Sequence, residues 1–224
     1  MKSAAAFFDV DETLIKMKSM FHFYQYWSDV FQWQEKHQHF TERFRQALSA
    51  GTAREELNRM YYREFAGVNI DDLNRVGENW FNTFLQHDEV YISSAVDALR
   101  QHKSLGHVTV FISGSILPIL KPLGEHLGVD AILSAPLLIN SSGKLTGEIG
   151  EPQTIGRGKQ RALLEFSQKN TINLTKSYAY GDDLSDIPML EVTGYPVCVG
   201  AGSKLAEYAL QNKWTILEQN VPAT

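Results

Sequence analysis

Cysteine is almost missing from this sequence: Cys198 stands alone among 224 residues. One thiol makes no intrachain disulfide and no Cys-based zinc site. A reducing cytoplasm fits that usage. No apolar run approaches the roughly 20 residues of a membrane span, so no membrane partner is expected. Met1 to Ala6 lack a long apolar signal region, and acidic residues arrive too early for a secretory leader. Positive charge is not in excess either. A net charge of -5 argues against nucleic-acid binding through a basic surface. It leaves room for a small anionic substrate held by a local cluster of Lys and Arg. Internal repeats, low-complexity tracts and long linkers are absent. Gly156-Arg-Gly158-Lys159 lacks the spacing and the Ser/Thr of a Walker loop. What remains is a chain of 43% hydrophobic composition, enough for one sizeable core and a smaller inserted unit.

The stretch Ala4-Ala-Ala-Phe-Phe-Asp9-Val-Asp11-Glu-Thr13-Leu14 organises the rest. Its apolar start carries no polar side chain and reads as a buried strand of a parallel sheet. Asp9 and Asp11 then appear where the strand ends, the place where open α/β sheets bind ligands. At i, i+2 spacing both carboxylates point the same way in extended chain.

From Lys16 to about Asp88 strand-like runs give way to helical spacing. Met20, Phe21, Phe23, Tyr24, Tyr26, Trp27, Val30 and Phe31 form a broad aromatic face. Leu57, Met60, Tyr61 and Phe65 repeat at helical intervals, as do Leu73, Val76, Trp80, Phe81 and Phe84. Most of these aromatics are core packing. An insertion at this point lies over the strand ends as a lid, so some of them face the pocket. After Ile92 strands and helices alternate. His107–Ile112, Ala131–Leu133, Tyr178–Tyr180, Pro196–Val199 and Trp214–Leu217 read as strands, and Leu137 to Gly147 as a hairpin. Helices are expected up to Gly106, over Pro118–Leu127 with Gly128 as cap, over Lys159–Lys169, and from about Ser203 to Asn212. The architecture is α/β: a doubly wound, Rossmann-like parallel sheet. Residues 1–15 and 89–224 form its core domain, and 16–88 a helical insertion.

Two further strands end in groups suited to phosphate. One runs into Ser113-Gly114 just before a helix. Another runs into Gly181-Asp182-Asp183, with Asp186 in the next turn, and Lys159 opens a separate helix. Alone, each fragment has a bland reading as a turn or a solvated helix start. Their shared order and placement do not. The pattern resembles the haloacid dehalogenase superfamily of hydrolases. Asp9-Val-Asp11-Glu-Thr13 is similar to its DxDxT motif, Ser113 to motif two, Lys159 to motif three, and Gly181-Asp182-Asp183-Leu-Ser-Asp186 to GDxxxD. The insertion looks like the family's C1 cap. Lys144-Leu-Thr-Gly147 and Asp186-Ile-Pro-Met-Leu190 resemble the phosphoserine-phosphatase-like branch.

The resemblance implies a phosphatase acting on a small phosphorylated metabolite. Asp9 would attack phosphorus to form an aspartyl-phosphate. Asp11 would protonate the leaving alkoxide and then take a proton from water. Two carboxylates beside a dianionic phosphate call for a cation, and Mg²⁺ suits an all-oxygen site. Its implied ligands are Asp9, the backbone carbonyl of Asp11, and Asp182, with Asp186 orienting the shell or its waters; Asp183 is left open. Ser113 and the N–H groups at Gly114 would hold phosphate oxygens, and Lys159 would offset their charge.

Four positions depart from the branch or stay open. Lys18 stands where phosphoserine phosphatases carry the Glu that binds the substrate's ammonium. That counts against phosphoserine and suits an extra anionic group on the substrate, unless Lys18 points to solvent. Ser185 replaces the usual Asn before the last Asp. The cap Arg that would grip a carboxylate is one of Arg43, Arg45 and Arg54. His22 is a candidate to face the substrate, while His37 and His39 read as surface. Two other readings share the motifs: a phosphotransferase or mutase with the same aspartyl-phosphate chemistry, and a phospho-receiver signalling module. Both a monomer and a homodimer fit.

Overall fold

The computed structural model describes residues 3–219; the domain limits drawn at 1 and 224 lie outside the described residues. Strand β1 (Ala5–Phe8) opens the fold, followed by four helices, α1 (Ser19–Phe31), α2 (Gln34–Ser49), α3 (Arg54–Glu64) and α4 (Ile70–Phe84). Then come α5 (Ser93–Ser104), β2 (Val108–Ser113), α6 (Leu117–Leu127), β3 (Ala131–Ser134) and a hairpin of β4 (Leu137–Ile139) and β5 (Leu145–Ile149). The chain closes with α7 (Arg157–Lys169), β6 (Tyr178–Gly181), α8 (Ile187–Leu190), β7 (Tyr195–Val199), α9 (Ala206–Gln211) and β8 (Thr215–Leu217). No described helix is long and apolar enough to cross a membrane.

Six parallel strands form one sheet in the order β3-β2-β1-β6-β7-β8. The order reverses between β1 and β6, and that switch point is where such sheets bind ligands. All four residues of β1 are fully buried, because the strand is covered on both faces. Side chains alternate between the faces. Ala5 and Phe7 enter a cluster with Leu163, Met189, Leu190 and Ala209 from α7, α8 and α9. Ala6 and Phe8 enter the opposite cluster with Leu99, Ile119 and Leu123 from α5 and α6.

The second cluster continues without a break into the helices after β1. Phe23, Tyr24, Trp27, Phe40, Tyr61, Phe65 and Trp80 are buried there. Most of the aromatics are thus core, packed edge-on in pairs such as Tyr24–Phe40 and Phe23–Trp80. Helix α2 spaces Phe40, Phe44, Ala47 and Leu48 at helical intervals, yet buries only Phe40. Helix α9 is shorter than its sequence pattern predicts, because a turn at Gly200–Ser203 takes the first residues. The free edge of the hairpin bonds to the helical segment: Gly67 N–H donates to Leu145 O at 2.8 Å and Leu145 N–H to Val68 O at 2.8 Å. The hairpin therefore braces the helices against the core.

Helices α4 and α6 touch where a side chain is missing. A Cβ at Gly77 would run into the carbonyl oxygen of Pro118. Gly77→Ala is expected to cost about 2–3 kcal/mol, in the range of overpacked cores. A lower urea midpoint at unchanged m would report it. A second test concerns pH. His102 is buried, with Nε2 2.8 Å from the Tyr180 hydroxyl and Nδ1 2.9 Å from His107 Nδ1. Burial, with His107 adding to it, pushes its pKa down from 6.5 to about 4. Between those values the unfolded chain binds the extra proton, so this stabilisation is full above pH 6.5 and fades towards pH 4. The Tm of His102→Gln should accordingly fall less than that of wild type between pH 7 and pH 4.5.

Candidate active site

After Phe8 the backbone coils tightly. The N–H groups of Thr13, Leu14 and Ile15 all point at Val10 O, at 3.3, 2.8 and 3.2 Å, and Glu12 N–H closes the ring on Ile15 O at 2.8 Å. This ring holds Glu12 at φ 61, a left-handed conformation that costs energy for a residue with a Cβ. The turn delivers Asp9 and Asp11 to one cavity of about 230 Å³. The same cavity is lined by Ser113 and Gly114 after β2, Lys159 from the first turn of α7, and Asp182 and Asp186 after β6.

Lys159 is the hub. Its Nζ lies 2.6 Å from Asp9 Oδ1 and 2.6 Å from Asp186 Oδ1, and all three residues are buried. Asp9 Oδ2 accepts from the Thr13 hydroxyl at 3.1 Å, and the same hydroxyl sits 3.2 Å from Asp182 Oδ1. Asp186 Oδ2 receives the N–H groups of Asp182 and Asp183, each at 3.3 Å. Only glycine permits this tuck: a Cβ at Gly181 would stand 2.6 Å from Asp186 Oδ2. Asp11 reaches across to α1, where Oδ2 accepts the Ser19 N–H at 2.9 Å. That N–H is one of the donors a helix leaves free at its start. Asp11 Oδ1 is buried with no partner.

The charges do not balance. Ligand atoms of Asp9, Asp182 and Asp186 all lie within 4.8 Å of one another, against one ammonium. Burial pushes Asp182 up to about 8, and the charges of Asp9 and Asp186 push the same way. Burial also raises Asp186, to about 6, although Lys159 opposes it. Asp11 rises to about 7, through burial against the pull of Ser19, with the charge of Asp9 adding to the rise. Burial pulls Lys159 down, but Asp186 and Asp9 outweigh it and hold the ammonium above the ordinary lysine range. Three crowded carboxylates with oxygen donors only are suited to a hard divalent cation.

Other residues fall where sequence could not place them. Lys18 lies at the cavity wall, half exposed and 3.4 Å from Glu12. Arg54, alone of the three candidate arginines, lines the cavity; it bonds to Asp183 Oδ2 at 2.8 Å and Ser185 Oγ at 3.1 Å. Arg43 pairs instead with Glu64 at 2.7 Å. His22 is a correction: it does not line the cavity. Its Nδ1 accepts from Trp80 Nε1–H at 2.8 Å, and its ring packs on Phe84. A helix turns about 100° per residue, so Phe21 takes the cavity face and His22 turns to α4. His39 is exposed, while His37 is half-buried against Tyr24. The hydrogen-bonding partners of Thr13, Ser19 and Ser115 are not visible in the sequence. Ser19 Oγ lies 3.1 Å from Ser115 Oγ, and Ser115 N–H donates to Ser113 Oγ at 3.1 Å. Two sequence signals point to Thr13 and Ser19 themselves: the Thr of the first motif and a Ser opening an aromatic helix.

Removing the hub should leave buried charge stranded. Lys159→Met is expected to cost about 3–5 kcal/mol, the usual price of breaking a buried pair. Asp186→Asn in that background should recover part of the loss. A double-mutant cycle of urea midpoints would measure both.

Residues 6–191 match the family of haloacid dehalogenase-like hydrolases. An "inhibition of morphological differentiation protein" of Streptomyces azureus is 28% identical over 97% of this chain and 79% of its own length. A probable phosphatase of Mycobacterium tuberculosis is 26% identical over 98% of this chain and 77% of its own. Among solved structures, a Bordetella pertussis protein described as of unknown function superposes with TM-score 0.88 at 18% identity, covering 98% of this chain and all of that one. A phospho-aspartyl intermediate analogue of phosphoserine phosphatase superposes with TM-score 0.64 at 20% identity, covering 98% and 95%. The chain belongs to the haloacid dehalogenase-like hydrolases, and its fold is the one that phosphoserine phosphatases carry.

Proposed function

We propose that the protein is a Mg²⁺-dependent phosphatase that hydrolyses the phosphate monoester of a small metabolite through an aspartyl-phosphate at Asp9. The carrying observation is the arrangement of Asp9, wedged between Lys159 and Thr13, beside an Asp11 whose Oδ1 is buried and unpartnered. Family membership and a relative described as a probable phosphatase support the same reading.

In this reading a carboxylate oxygen of Asp9 attacks phosphorus, and the bond from phosphorus to the leaving oxygen breaks. Lys159 and Thr13 hold the carboxylate in place for that attack. Asp11, held by the Ser19 N–H, gives its proton to the leaving oxygen. In the second half Asp11 takes a proton from water as the water oxygen attacks phosphorus. Inorganic phosphate leaves and Asp9 is restored. Splitting the reaction in this way divides one very slow step into two. Ser113 and the backbone at Gly114 bind phosphate oxygens at the start of α6. Asp9, the Asp11 carbonyl and Asp182 would hold a Mg²⁺, with Asp186 orienting that shell or its waters, and the bound ion would supply positive charge against the dianion. Helices α1–α4, residues 16–88, act as the cap that excludes bulk water, and a cavity of about 230 Å³ suits small substrates.

Phosphate release from a panel of phosphorylated metabolites tests the proposal. Turnover should need Mg²⁺, stop in EDTA, and fall below detection in Asp9→Asn. Asp11→Asn should lower kcat by about 10²–10⁴. Activity surviving in Asp9→Asn would remove the nucleophile assignment. A phosphoryl-enzyme that turns over only with an added alcohol would make the protein a transferase.

A further inference from the structure

Five tyrosines are buried among the described residues, and four of their hydroxyls are partnered. Tyr24 donates to Glu64 Oε2 at 2.8 Å, Tyr62 to Ala135 O at 3.2 Å and Tyr91 to Leu85 O at 2.5 Å; Tyr180 meets His102 Nε2 at 2.8 Å. Tyr61 is the exception. It is 1% exposed, its hydroxyl has no partner, and its side chain lines the cavity that holds Asp9 and Asp11. Burying an unpaired hydroxyl is unfavourable. The other unpartnered group of the same cavity is Asp11 Oδ1. Burial keeps the Tyr61 phenol protonated, with its pKa well above the ordinary value, so it serves as a donor.

The wall around Tyr61 has its own chemistry. Met20 and Phe21 from α1, Phe44 and Leu48 from α2, and Leu57 from α3 line the cavity. Phe21 and Phe44 meet edge to face, with centroids 4.9 Å apart. Phe21 is 38% exposed and Leu48 57%, so apolar surface stays open at the mouth while the aromatics behind it are sealed. The charges at the same wall pair with one another: Lys18 with Glu12, and Arg54 with Asp183. The carboxylate left with an unpartnered oxygen in this cavity is Asp11, held by the Ser19 N–H.

We propose that Tyr61 is a specificity-determining residue: its hydroxyl donates to an acceptor on the leaving group, and the Met20–Phe21–Phe44–Leu48 wall takes that group's aromatic or bulky aliphatic body. This rests on the phosphatase reading and names its substrate class. The preferred substrates are phosphate monoesters of uncharged, largely apolar alcohols that carry one oxygen or nitrogen acceptor. Amino-acid phosphates bind less well, because serine brings two charged groups and no apolar body to the wall of Met20, Phe21, Phe44 and Leu48.

Matched substrates test it. Benzyl phosphate and the three pyridylmethyl phosphates share size and shape and differ by one acceptor nitrogen; ethyl phosphate and phosphoserine complete the set. Wild type should show a kcat/KM for the best pyridyl isomer about tenfold above benzyl phosphate, the order of one hydrogen bond. Tyr61→Phe should bring that ratio to about one, chiefly by lowering kcat/KM for the pyridyl substrate, and leave Tm unchanged or slightly raised. Phe44→Ala should lower kcat/KM for benzyl phosphate relative to ethyl phosphate by about tenfold or more. A pyridyl-to-benzyl ratio untouched by Tyr61→Phe, or equal turnover of ethyl, benzyl and seryl phosphates, overturns the inference while leaving the phosphatase reading intact. No hydrolysis of any member with Mg²⁺, or turnover that persists in Asp9→Asn, overturns the phosphatase reading itself and this inference with it.

Discussion

A single buried ammonium holds this molecule's chemistry together. Lys159 lies between Asp9 and Asp186 at 2.6 Å from each, and so joins the end of β1, the start of α7 and the turn after β6. Taking those charges out of water costs several kcal/mol per ion, which close contact and further hydrogen bonds must offset. The surrounding structure supplies these bonds: Thr13 to Asp9, and two backbone N–H groups to Asp186. Gly181 leaves the space for the last of them. The arrangement still carries more negative than positive charge. That imbalance is the electrostatic reason the three carboxylates suit a hard divalent cation.

The cavity depends as much on what covers it. One apolar cluster runs from the sheet face through α5 and α6 into the aromatic helices α1–α4. The hairpin edge, the contact of Gly77 on Pro118, and Arg54 on Asp183 add three more links between those helices and the sheet. Through these links the cavity wall is tied to the sheet that carries Asp9 and Asp182. Its exposed apolar side chains and the unpartnered Tyr61 hydroxyl then stand out as positions that folding alone does not explain.

Much of this was legible in the chain. The unbroken apolar run of β1, the alternation after Ile92 and the carboxylates at strand ends follow from local chemistry, because a parallel strand buried on both faces has no place for polar residues until it ends. The parts that were not legible depend on neighbours that the fold brings in. Helix α2 repeats Phe40, Phe44 and Leu48 at helical spacing, but which of them is sealed and which meets the cavity depends on its neighbours. The roles of Thr13, Ser19 and Ser115 come from partners distant in sequence or from a coiled turn. Ser19 and Ser115 are 96 positions apart, and Thr13 and Asp182 are 169.

The sequence by itself determined the doubly wound sheet, the helical insertion after the first strand, and the set of groups available at the strand ends. Only the tertiary structure decided which of them meet. It brought Lys159 to Asp9 across 150 positions, chose Arg54 over Arg43 and Arg45, turned Phe21 to the cavity and His22 away from it, and left Tyr61 without a partner. The reason is physical. Strand and helix periods specify which residues are buried, whereas the direction of a side chain on a helix and its partner across the fold depend on how the elements pack.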